Sequence, residues 1–82
     1  NPTFSTDNFA LATFLKTKRC ILLHISKDSP RHAVFSFEDT PKRRELTEEF
    51  WEGRGLVEPR SFFNAQRELK SFLYDSSYPN KR

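Results

Sequence analysis

The chain has few of the residues that punctuate, cross-link or span. Its only two glycines among 82 residues are Gly53 and Gly55, so neither common pattern of glycine-rich phosphate loop can be built from it. A single cysteine, Cys20, excludes an internal disulfide and fits a reducing compartment. No apolar run approaches the roughly 18–20 residues that a membrane-spanning helix needs. No leader pattern of basic, apolar and small residues is visible in a sequence that begins at Asn1, and the cysteine usage makes a cytoplasmic location the expectation.

Phenylalanine and charge are abundant. Eighty-two residues make one domain, because two would each be too small to bury a core. Charged residues reach 30% and leave little material for that core, but 15% of the chain is aromatic, with nine phenylalanines. Each large ring buries roughly 150–250 Å², and disordered segments are poor in such rings. The net charge of +3 is mildly basic. Where that charge sits decides more than its total.

The order of patterns predicts α-β-β-α-α, an α+β domain over residues 1–75 with a polar tail over 76–82. Ser5 is in position to cap a first helix from Thr6 to Thr17, with Phe4 and Phe9 at the spacing of a hydrophobic staple. "RCILLHIS" (Arg19 to Ser26) and "RHAVFSFED" (Arg31 to Asp39), joined by "KDSP", read as an antiparallel two-stranded hairpin. On parity, Ile21, Leu23 and Ile25 share the inward face with Ala33, Phe35 and Phe37. Thr40 as N-cap and Pro41 at the first helical position start a second helix that stops at Gly53. Leu46, Phe50 and Trp51 are its expected inward residues. Pro59 opens a third helix to Tyr74. A lone hairpin is marginal in water, so it must pack on the helices or extend its sheet in a homodimer.

The third helix, "PRSFFNAQRELKSFLY", carries the main functional expectation. On a wheel of 100° per residue, Phe62, Ala65, Leu69, Phe72 and Leu73 fall in a sector of about 100°, the width of a core stripe. Arg60, Phe63, Asn64, Arg67, Lys70 and Tyr74 lie on the other side. Cations meet phosphates and aromatic faces stack on bases, so this face suits single-stranded DNA or RNA. Read structurally, the same cations are a solvated helix face. Lys42, Arg43 and Arg44 form a second basic patch at the start of the second helix, beside free N–H groups that suit a phosphate. Glu45, Glu48, Glu49 and Glu52 follow them. Both groups run against the helix macrodipole, and pairing of Arg44 with Glu48, or of Lys42 with Glu45 or Glu49, is the competing structural expectation.

Metal and catalytic chemistry find little support. The four glutamates lie on one helix face, with no acidic loop to enclose an ion. Cys20, His24 and His32 give three candidate ligands where zinc usually takes four. No nucleophile–base signature is present. No cofactor, no metal and no enzymatic activity are expected.

Four stretches, "TDNFALATFL", "VFSFED", "EEFWEG" and "PRSFFNAQRELKSFLY", together resemble a domain family of unknown function found in short proteins of bacteria and their mobile elements. The resemblance implies a compact α+β unit and supplies no activity or site. Two functions are carried forward. One is a small non-enzymatic module that contacts nucleic acid, or accompanies a larger nucleic-acid-processing protein. The other is a protein-interaction or self-associating adaptor. Neither involves a membrane.

Overall fold

The computed structural model describes residues 2–29 and 32–74, apart from the side chains of Asp28 and Tyr74. Six elements follow one another: β1 (Thr3–Thr6), α1 (Phe9–Thr17), β2 (Leu22–Ser29), β3 (His32–Glu38), α2 (Pro41–Trp51) and α3 (Pro59–Tyr74). The α+β class and the three helices match the sequence reading. The sheet has three strands where two were expected.

The added strand is β1. It pairs antiparallel with β3, giving the order β1-β3-β2. Both outer strands run opposite to β3 and therefore parallel to each other, so β1-α1-β2 is a split β-α-β unit with β3 inserted between its strands. Ser5 is consequently a strand residue and not a cap, and Phe4 lies opposite Phe37. The cap of α1 is Asn8, whose side chain accepts from the Leu11 amide at 2.9 Å.

The hairpin also departs from simple parity. Leu22 stands opposite Phe37 and His24 opposite Ser36, so the register shifts by one residue between them. That bulge puts Leu22 in the inward place expected for Leu23, which is 51% exposed; Ile21 is exposed too. Ile25, Phe35 and Phe37 are buried as expected. Lys27 and Ser29 belong to β2, whereas the end of the expected turn at Pro30 lies outside the described residues, as does the 76–82 tail.

The helices share one face of the sheet. α1 sits between α2 and α3 and packs on both. Its central position buries Leu11, Ala12, Thr13, Phe14 and Leu15 in succession, more than one amphipathic face. The buried Thr13 hydroxyl donates to the Phe9 carbonyl at 2.8 Å and so carries no unmet polar cost. Leu46 and Leu69 bring α2 and α3 into the same core. Two side chains tie the flanking helices to opposite sheet edges: Arg43 of α2 lies over Phe4 of β1, and the Lys27 amine of β2 donates to the Leu73 carbonyl of α3 at 2.9 Å. The cation at the end of α3 also complements the helix dipole.

Both α1 and α2 end with paired reverse bonds that satisfy their last carbonyls. In α2, Gly53 donates to Phe50 and Arg54 to Glu49. In α1, Arg19 donates to Lys16 and Cys20 to Leu15. Gly53 takes φ 76° easily, whereas Arg19 holds φ 71° with a side chain attached.

Candidate nucleic-acid interface

The N-terminus of α3 is fixed by an unusual cap. Glu58 precedes Pro59 and accepts from the Arg60 and Ser61 amides at 3.1 and 2.8 Å, and from the Ser61 hydroxyl at 2.9 Å. These bonds hold its carboxyl below the usual glutamate range, the Ser61 amide contributing most. Pro59 costs nothing at the first helical position, where its missing N–H has no partner to lose.

From there the helix divides as its wheel predicts. Ala65 and Leu69 are buried, and Phe62, Phe72 and Leu73 pack against the core. Arg60, Phe63, Asn64, Arg67 and Lys70 are exposed on the other side. Phe63 keeps 61% of its surface exposed, an unusual state for a residue type that buries well. Together with Glu58, Pro59 and Gln66, these five residues line one open groove of about 650 Å³. Arg67 donates to the Asn64 side-chain oxygen at 3.3 Å, a contact that restrains the guanidinium without neutralising it.

Acids near this face are engaged elsewhere. Glu68 pairs with Lys16 of α1 at 3.1 Å, and Glu58 caps the helix. Among the described residues, Arg60, Arg67 and Lys70 have no ion pair. Arg60 and Lys70 are ten residues apart, about 15 Å along the axis. The backbone of Tyr74 closes the helix; its side chain lies outside the described ones.

The second expected patch separates into its members. Lys42 and Arg44 are exposed, but Arg43 is only 7% exposed and faces inward beside Leu46. Its guanidinium donates to Asp39 at 2.6 and 3.2 Å and to the Thr47 hydroxyl at 3.0 Å, and lies 3.8 Å from the centre of the Phe4 ring. Arg44 approaches the same carboxylate at 3.5 Å. Arg43 and Arg44 therefore pair with Asp39, one residue before the N-cap, and not with the glutamates downstream, while Lys42 has no ion pair among the described residues. That acid offsets the unfavourable meeting of bases and helix N-terminus. In return the Arg43 hydrogen bonds hold the Asp39 carboxyl below its ordinary range. The signal for an inward Arg43 was available: it lies three and seven residues before Leu46 and Phe50, on one stripe.

Trp51, expected inside, is 62% exposed and stands edge-on to Phe50, with ring centres 5.0 Å apart. Phe50 itself packs on Phe14 at 5.5 Å. Burial pushes the Cys20 thiol up, against the opposing charges of Arg43 and Lys42, which disfavours a reactive thiolate. His32 meets Asp7 at 3.3 Å, and His24 lies on the sheet face away from the helices. Among the described residues, no three His, Cys, Asp or Glu side chains gather as a metal site would require, and no helix is long and apolar enough to cross a membrane.

The family model for a domain of unknown function (DUF5659) matches residues 1–75. The chain belongs to that family. No curated protein and no solved structure shows significant similarity to the chain. The DUF5659 match takes in all six elements, so the groove of α3 lies wholly inside the family unit.

Proposed function

We propose that the chain is a small non-enzymatic module that contacts single-stranded DNA or RNA, or accompanies a larger nucleic-acid-processing protein, through the outer face of α3. The supporting observation is Phe63: an exposed ring set among Arg60, Arg67 and Lys70, none of which has an acid partner among the described residues. Bases stack on such a ring while the cations hold phosphates. The open face of the sheet offers no comparable platform. It carries Ser5, His24, Ser26, Val34 and Ser36, with no Phe, Tyr or Trp among the described residues to stack on. Asn64 adds a neutral hydrogen-bonding group, and Tyr74 a second ring at the far end of the stripe. Lys42 and Arg44 serve as outlying phosphate contacts; Arg43 is omitted because its guanidinium is buried and held by Asp39. A cytoplasmic setting in bacteria and their mobile elements belongs to the same reading.

Retention on single-stranded DNA and RNA at rising salt tests this. Phosphate binding should weaken linearly on a log–log plot, and replacing Arg67 and Lys70 by Ala should reduce the slope by about 0.7 for each phosphate no longer held. Phe63→Ala should cost about 1–3 kcal/mol of single-strand affinity. Absence of retention even at low salt removes the proposal. The adaptor reading has its own supporting feature, the exposed Trp51 beside the glutamate face of α2, a face that would repel nucleic acid.

A further inference from the structure

Two helices of this chain carry opposite charges that the fold keeps apart. On α2, Glu45, Glu48 and Glu49 have no ion pair among the described residues, and Glu52 is held by Arg54 at the helix exit. On α3, Arg60, Arg67 and Lys70 are likewise unpaired. α1 packs on both helices, and no ion pair joins the two sets among the described residues. The acids toward the end of α2 and Arg60 in the first turn of α3 also run against their helix macrodipoles. Glu45 to Glu49 spans about 6 Å along its helix and Arg60 to Arg67 about 10.5 Å, so the unpaired acids fit within the basic row. Each face also has one exposed ring beside its charges: Trp51 three residues after Glu48, and Phe63 three residues after Arg60.

We propose that the chain associates with further copies of itself, the acidic face of α2 in one copy lying along the basic face of α3 in the next. Sign and ring placement select a second copy as the occupant. Trp51 then meets the Arg60–Phe63–Arg67 row, where a guanidinium over an indole adds to the ion pairs. Because each copy offers different faces to its two neighbours, the contact is heterologous. It uses the face assigned above to nucleic acid but does not rest on that assignment: carboxylates occupy the place of phosphates, and the two ligands exclude each other.

Sedimentation equilibrium of the whole chain, free of nucleic acid, is the test. The weight-average mass should rise from 9.7 kDa with concentration at low ionic strength and return to it as salt screens the pairs. Reversing Glu45, Glu48 and Glu49 to Lys should leave a monomer, and so should reversing Arg60, Arg67 and Lys70 to Glu. Mixing the two variants restores one acidic and one basic face between them and should restore association. If a triple reversal does not fold by circular dichroism, Glu48→Lys and Arg67→Glu take its place, each weakening association about tenfold with recovery on mixing. A wild-type chain that stays at 9.7 kDa throughout overturns the proposal, as does a mixture of folded variants that remains monomeric. Loss of nucleic-acid retention alone leaves it standing.

Discussion

The Arg43 guanidinium lies 3.8 Å from the centre of the Phe4 ring, joining the first turn of α2 to the edge strand at the far side of the sheet. The ring supplies an apolar, electron-rich surface, and Asp39 and Thr47 take the donors around the rim. A charge that would be costly to bury alone is thereby paired, with each of the three guanidinium nitrogens donating a hydrogen bond.

Arg43→Ala should therefore act on stability and not on nucleic acid. A desolvated cation–π contact is worth about 2 kcal/mol, and that loss should appear as a lower urea midpoint. Retention of the folded variant at low salt should equal the wild type's, while Arg67→Ala should show the reverse pattern. A retention defect in folded Arg43→Ala would place that guanidinium in the binding surface.

Acid should weaken the fold through Asp39 and Glu58. Both carboxyls are held below their ordinary values, about 3.9 and 4.3 in the unfolded chain. Their contribution is complete well above those values, and it disappears as pH falls through the lower folded-state values. Urea midpoints of wild type and Asp39→Asn should differ at neutral pH and converge below about pH 4. A gap that stays constant to pH 3 would show that the Arg43 pairing carries no such linkage.

The two glycines should respond differently to alanine. At Gly55 an added Cβ would lie 2.7 and 2.8 Å from Phe14 ring carbons, so Gly55→Ala should cost about 1–3 kcal/mol by overpacking. Combining it with Phe14→Leu should make the change cheaper than in the wild-type background. At Gly53 nothing lies within 4 Å, and Gly53→Ala should cost about 1–2 kcal/mol from its positive φ alone. Phe14→Leu should leave that second cost unchanged. Thermal unfolding of the double-mutant cycles reads both.

Arg19 occupies the helix-end position that glycine usually takes, at φ 71°. Arg19→Gly should stabilise the chain by roughly 0.5–1 kcal/mol, the relief of the left-handed backbone less the added freedom of the unfolded state. A lower melting temperature would mean that the Arg19 side chain makes a stabilising contact that outweighs its backbone.

The elements that could be read from the sequence are those with chemical punctuation. Thr40–Pro41 and Gly53 bracket α2, and Pro59 opens α3; each does so for a local reason that survives in the fold. The outer face of α3 was legible for the same reason, since helical phase separates Leu69 from Arg67 without help from the rest of the chain. β1 was not, because four residues with a Phe and a Ser offer the same signals as a helix start. Its strand state comes from Phe37 and Arg43, more than 30 residues away. The bulge at Leu23 was hidden too: a one-residue shift leaves composition and alternation almost untouched while exchanging Leu22 for Leu23. Arg43 was misplaced by reading three consecutive bases as one patch, although its position on the stripe with Leu46 set it apart.

The split arrangement of the sheet also bears on how the chain is made. Ser5 and its partner Ser36 are 31 positions apart, so at about 5–20 residues per second the ribosome needs about 2–6 s between them. For that interval Thr3–Thr6 has been synthesised but β3, the strand it pairs with, has not. β1 must therefore wait for β3, and α2 with Arg43 follows later still, so for those seconds the β1 backbone is open to whatever else in the cell pairs with an extended strand.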